Sequence, residues 1–156
     1  MLTVIGCGNA NRCDDAAGIF VAQTLLAHLR EHPRADVRVF DAGTGGMDVM
    51  FQARGARRLI VVDAARTGAP PGAIVRVPGS ELAARHEPGF SLHDFRWDHA
   101  LAAGRRIFRD DFPADVTVYL IEAKELGFGL ELSPVVHDAA RRIAAELREL
   151  IDGYTG

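Results

Sequence analysis

The chain has little of what would mark it for a membrane, a nucleic acid or a disulfide scaffold. No apolar run approaches the ~18–20 residues needed to span a bilayer. There is no basic stripe or polybasic tail: 18 Lys and Arg stand against 21 Asp and Glu, a net charge of −3. That balance points away from nucleic acid and anionic membrane surfaces. Cysteine is scarce, with Cys7 and Cys13 alone in 156 residues. Their C-x5-C spacing without a second pair is weak evidence for a zinc site, and in a reducing compartment free thiols are expected rather than a disulfide. "MLTVIGCGN" lacks the basic start and long apolar core of a secretory signal, so a cytoplasmic location is expected. Nucleotide signatures are missing too. No G-x-x-x-x-G-K-[ST] occurs, and in "GCGNANR" Asn11 stands where a dinucleotide fingerprint has its third glycine. No Ser–His–Asp or Cys–His order stands out.

What is present is an ordinary globular composition, 48% hydrophobic and 25% charged. It suits one domain over residues 1–156, long enough to bury roughly two-thirds of its unfolded surface. "LTVIG" reads as a buried strand bounded by glycine. "DDAAGIFVAQTLLAHLREH" follows at helical spacing, acidic in its first turn. "ADVRVFDAG" alternates as a strand, and "TGGMDVMFQARGA" is a short helix opened by Thr44. "RRLIVVDAA" is apolar on both faces, hence central and parallel. "GAIVRVPG" has prolines at its flanks, as at a sheet edge. Ser91 with Asp94 forms a capping box for "LHDFRWDHALAAGRRIF". "DVTVYLIEA" is the last core strand, and Ser133–Pro134 opens the final helix. This alternation predicts a three-layer α/β/α sandwich: a mainly parallel, five-stranded twisted sheet with one antiparallel edge strand.

In such sheets ligands bind beyond the carboxyl ends of the strands. Asp14 and Asp15 follow the first strand, Asp41 ends the second, and Asp63 ends "LIVVD". His93, in a helix's first turn, is placed to face the same rim. A first-turn aspartate is favoured by the helix dipole alone, whereas Asp63 closes an apolar run where ionisation is costly without partners. Two carboxylates and an imidazole form a mixed oxygen and nitrogen donor set. It suits zinc, nickel or cobalt better than calcium or magnesium. The remaining histidines, His28, His32, His86, His99 and His137, are expected to be solvated.

Taken together, the loop "GCGNANRCDDAAG", the turn "DAGTGGMDVM", the strand "RRLIVVDAA", the "SLHDF" helix start and the late "LSP" resemble the hydrogenase maturation endopeptidases. The first four of these agree with the family's motifs in order and spacing, and together the stretches cover almost the whole chain. The resemblance implies removal of a short C-terminal extension from the nickel–iron hydrogenase large-subunit precursor, once nickel has been inserted. The metal-contacting residues of the family fall on Asp15, Asp63 and His93. The resemblance implies that they engage nickel supplied by the precursor rather than held by the free enzyme. The turn at residues 41–46, with Asp41, Gly43, Thr44 and Gly45, matches a segment linked to activity and substrate recognition. Two departures stand out: Asp15 replaces the glutamate of many members, and "IEAKELGFG" differs from the usual Pro-containing segment. The implied partner is the precursor, and a monomer is the simplest expectation.

Two mechanisms are open at this point. Nickel held by Asp15, Asp63 and His93 would polarise the scissile carbonyl or activate water. Alternatively, one carboxylate is the general base and the metal only reports that the substrate is ready. Two other functions compete. One is a non-catalytic, nickel-dependent hydrogenase-binding chaperone using the same three residues. The other is a phosphoacceptor receiver built on Asp14–Asp15, Asp63 and Lys124, which leaves "GCGNANR", "DAGTGG" and "SLH" unexplained.

Overall fold

The computed structural model describes residues 1–83 and 97–156. Strand β1 (Leu2–Cys7) leads through a 3-10 turn (Cys13–Ala16) into helix α1 (Ala17–Glu31). Strand β2 (Val37–Gly43), helix α2 (Gly46–Ala53) and strand β3 (Arg58–Ala65) follow. Next come strand β4 (Ile74–Pro78) and helices α3 (Gly79–Ala83) and α4 (Trp97–Phe108). Strand β5 (Asp115–Glu122) and helix α5 (Pro134–Asp152) complete the order.

The five strands form one sheet in the order β2-β1-β3-β5-β4. Strands β2, β1, β3 and β5 run parallel, and β4 lies antiparallel on the β5 edge. The α/β sandwich and its antiparallel edge are thus as the sequence predicts. Alternation along each strand divides the interior in two. Leu2, Val4, Ile60 and Val62 pack with α1 and α5 on one face. Ile5, Cys7, Leu59 and Val61 pack with α2 and α4 on the other. In α5, Val136, Ala139, Ala140, Ile143, Leu147 and Ile151 recur at helical spacing and are all buried. Each large side chain among them contributes roughly 1.5–3 kcal/mol.

Local departures have physical causes. The helix predicted from Asp14 begins instead at Ala17, behind a 3-10 turn whose first residue, Cys13, has φ 44°. Thr44 does not open α2: Gly45 precedes the first helical residue, and Thr44 is left exposed. Ser133 does precede α5 and Pro134 takes its first position, where a missing N–H costs nothing. The serine hydroxyl, however, donates to Asp14 rather than capping the helix. His28 is not solvated. It is 7% exposed, and its Nε2 lies 2.8 Å from Asp152 Oδ1. Neither Cys7 nor Cys13 is in a disulfide. The Ser91–Asp94 capping box lies outside the described residues.

Candidate active site

The chain reverses its lateral direction at β1, which has β2 on one side and β3 on the other. The crevice this leaves at the carboxyl ends is where a ligand fits. Two glycines close the loop onto it. Gly8 has φ 140°, and a Cβ there would stand 1.8 Å from the Asp15 carbonyl oxygen. A Cβ on Gly18 would stand 2.2 Å from the Val62 oxygen and 2.4 Å from that of Cys7. Only hydrogen at both positions lets the 3-10 turn and α1 settle on the strand ends.

The adjacent aspartates have opposite fates. Asp14 is fully buried. Its Oδ2 accepts from the backbone N–H of Lys124 (2.9 Å) and Glu125 (2.8 Å) and from Ser133 Oγ (2.8 Å). Its Oδ1 accepts from the Ser133 N–H at 2.6 Å. Burial alone would raise its pKa, but the bonds from Glu125, Ser133 and Lys124 outweigh it and hold the carboxyl below 3.8. Asp14 therefore ties the turn to the segment between β5 and α5. Asp15 points to the crevice, with Oδ2 accepting the Asn9 N–H at 3.2 Å.

Asp63 lies within β3, opposite Leu120 of β5, and is 4% exposed. Its Oδ1 accepts the Ala64 N–H (2.8 Å) and its Oδ2 accepts the Trp97 indole N–H (2.7 Å). These donors fix the carboxylate plane. Asp15 and Asp63 line one cavity of about 380 Å³, together with Gly43, Thr44 and Gly45 of the glycine-rich turn. Asp41 is not part of that lining. Its Oδ1 accepts the Gly43 N–H (3.0 Å) and its Oδ2 the Gln23 amide (3.4 Å), so it shapes the turn from behind. His93 lies outside the described residues. Among those described, no three His, Cys, Asp or Glu side chains form a metal-holding group.

A model of the hydrogenase maturation protease family, HycI, matches residues 19–149. The chain belongs to that family. Hydrogenase 2 maturation protease of Escherichia coli is 27% identical, over 95% of this chain and 91% of its own. HupD, a hydrogenase expression/formation protein of Thiocapsa roseopersicina, is 29% identical over 88% of this chain. The chain spans 61% of the length of HupD and 48% of that of HoxM from Cupriavidus necator. Among solved structures, the E. coli maturating endopeptidase HybD superposes with a TM-score of 0.71 at 25% identity, covering 96% of this chain and 93% of its own. HybD of Thermococcus kodakarensis gives 0.76 at 22% identity, over 96% and 97% of the two chains, and supports the fold.

Within this hydrogenase maturation protease fold, the cavity also holds residues to which sequence reasoning gave no role. Cys7 sits at its floor, Trp97 donates to Asp63, and Arg12 stands at its rim. Trp97 was findable as the one tryptophan of the chain, four residues after His93. Arg12 carried no such signal, because its neighbours in space come from residues 126–129. The receiver reading loses its parts: Asp14 is consumed by structure, while Lys124 is exposed and absent from the cavity lining. No helix among the described residues is long and apolar enough to cross a membrane.

Proposed function

We propose that this chain is a processing endopeptidase. It removes the C-terminal extension of a nickel–iron hydrogenase large-subunit precursor after nickel insertion. The observation that carries this reading is the convergence of Asp15 and Asp63, from separate elements, on one cavity beside the glycine-rich turn. Family membership supports the peptidase chemistry.

Nickel enters with the substrate. Asp15, Asp63 and His93 are the residues assigned to meet it, a donor set of two carboxylates and one imidazole that suits a borderline divalent ion. The two carboxylates divide the work by their surroundings. Asp63, nearly buried and oriented by two N–H donors, is the fixed contact. Asp15 is more open, and Asn9 is its hydrogen-bond partner among the described residues. It takes the proton from the attacking water and returns it to the leaving amine as the C–N bond breaks. Gly43, Thr44 and Gly45 form the wall along which the substrate chain lies.

The test is intact-mass analysis of a nickel-loaded precursor and a nickel-free control incubated with the protein. Loss of a C-terminal peptide from the loaded form alone is the expected result. A stable complex without any mass change would overturn cleavage and leave the chaperone function.

A further inference from the structure

We propose that Arg12 and Phe128, with Leu130, form a substrate subsite beside the cavity. It takes an extended segment of the precursor that carries an apolar side chain next to an oxygen acceptor. This inference rests on the function proposed above.

The segment following β5 is pinned to the first loop at several points. Cys13 N–H donates to the Gly129 carbonyl (3.0 Å), Gly129 N–H to Asn11 (2.9 Å) and Asp14 N–H to Glu125 (3.0 Å). The Asp14 carboxylate binds the same segment through Lys124 and Glu125. On this tethered backbone Phe128 is 92% exposed and Leu130 80% exposed. A single exposed apolar residue needs no explanation. Here two lie within three positions, on a backbone held by that hydrogen-bond network.

Arg12 links Phe128 to the cavity. Its side chain lines the cavity rim, Nε donates to the Leu126 carbonyl (3.1 Å), and its guanidinium carbon lies 5.8 Å from the centre of the Phe128 ring. The two Nη groups have no hydrogen-bond partner among the described residues, and such a fork recognises a carbonyl or carboxylate oxygen. A cation at the cavity mouth with an aromatic ring beside it is complementary to an apolar residue followed by an acceptor. A polypeptide entering the cavity from this side meets both.

The experiment measures precursor binding and cleavage in parallel for the wild type, Phe128→Ser, Arg12→Gln and a control, Ile107→Ser. Ile107 is 62% exposed on α4 and lies outside the cavity lining. Far-UV circular dichroism checks that each variant folds. Phe128→Ser and Arg12→Gln are each expected to weaken binding of the nickel-loaded precursor on the order of tenfold, as central interface residues do. The loss should fall on KM rather than kcat, and Ile107→Ser should behave as wild type. Cleavage with unchanged Kd and KM in both variants would overturn the subsite and leave the proposed function standing. Binding without cleavage by the wild type would overturn the peptidase reading, while the variants' Kd values still decide the subsite. A wild-type dimer dispersed by Phe128→Ser, with precursor binding unaltered, would assign the patch to a second copy of the chain. Absence of both binding and cleavage would overturn both.

Discussion

Asp14→Asn isolates the carboxylate that places the site without touching the cavity. Asparagine keeps one oxygen. With that oxygen at the Oδ2 position, the donors from Lys124, Glu125 and Ser133 Oγ are still met. The amide NH2 then opposes the Ser133 backbone N–H, donor against donor, where Oδ1 had accepted at 2.6 Å. Flipping the amide is worse, because it opposes two backbone N–H donors, those of Lys124 and Glu125. One unsatisfied N–H costs about 1–3 kcal/mol, and three bonds weaken from charge-assisted to neutral, so a loss of about 3 kcal/mol is expected. For a chain of this size that lowers Tm by roughly 6–12 °C. Thermal melts followed by circular dichroism read it directly.

The pH dependence supplies a second check. The folded carboxyl lies below its ordinary 3.8. Its contribution is therefore complete above the unfolded value and is lost as pH falls through the lower, folded one. The gap between wild type and variant should be constant from about pH 5 to 8 and close below about pH 4. A gap under about 2 °C at neutral pH, or one that widens in acid, would refute the role given to Asp14.

Further outcomes follow from the same geometry. Asp63→Asn should lower precursor cleavage by about 10²-fold or more, measured by intact mass, with the far-UV spectrum of the folded protein retained. Gly18→Ala forces a methyl group to within 2.2 Å of the Val62 oxygen and should cost about 3 kcal/mol or more in urea unfolding. Glu122 accepts from Thr67 N–H (2.8 Å), Thr67 Oγ (2.8 Å) and Gly68 N–H (3.1 Å). Glu122→Gln should therefore speed hydrogen exchange at Thr67 and Gly68 by roughly tenfold, an effect confined to that turn.

Much of the architecture was legible because it rests on local periodicity. The apolar run "LIVV" marks β3 as central, and the prolines around "GAIVRVPG" mark an edge, which β4 is. That Asp15 and Asp63 line one cavity was legible for a related reason. Parallel strands with helical crossovers deliver every strand end to one rim, so residues at those ends are gathered whatever the details. His93 belongs to the same expectation, on residues the structure does not describe.

The amino-acid sequence by itself determined the strand and helix order, the sheet class and the identity of the strand-end carboxylates. Tertiary structure supplied the physical reason why one of two adjacent aspartates faces the cavity and the other does not. Asp14 and Asp15 are chemically identical and differ only in what lies opposite: three backbone N–H groups and a hydroxyl from residues 124–133 for one, open cavity for the other. Tertiary structure alone decided that His28 is buried against Asp152, 124 positions away. Arg12 meets Phe128 by the same kind of contact. Such contacts join segments far apart in the chain, and no local pattern encodes them, because they exist only once the sheet has brought those segments side by side.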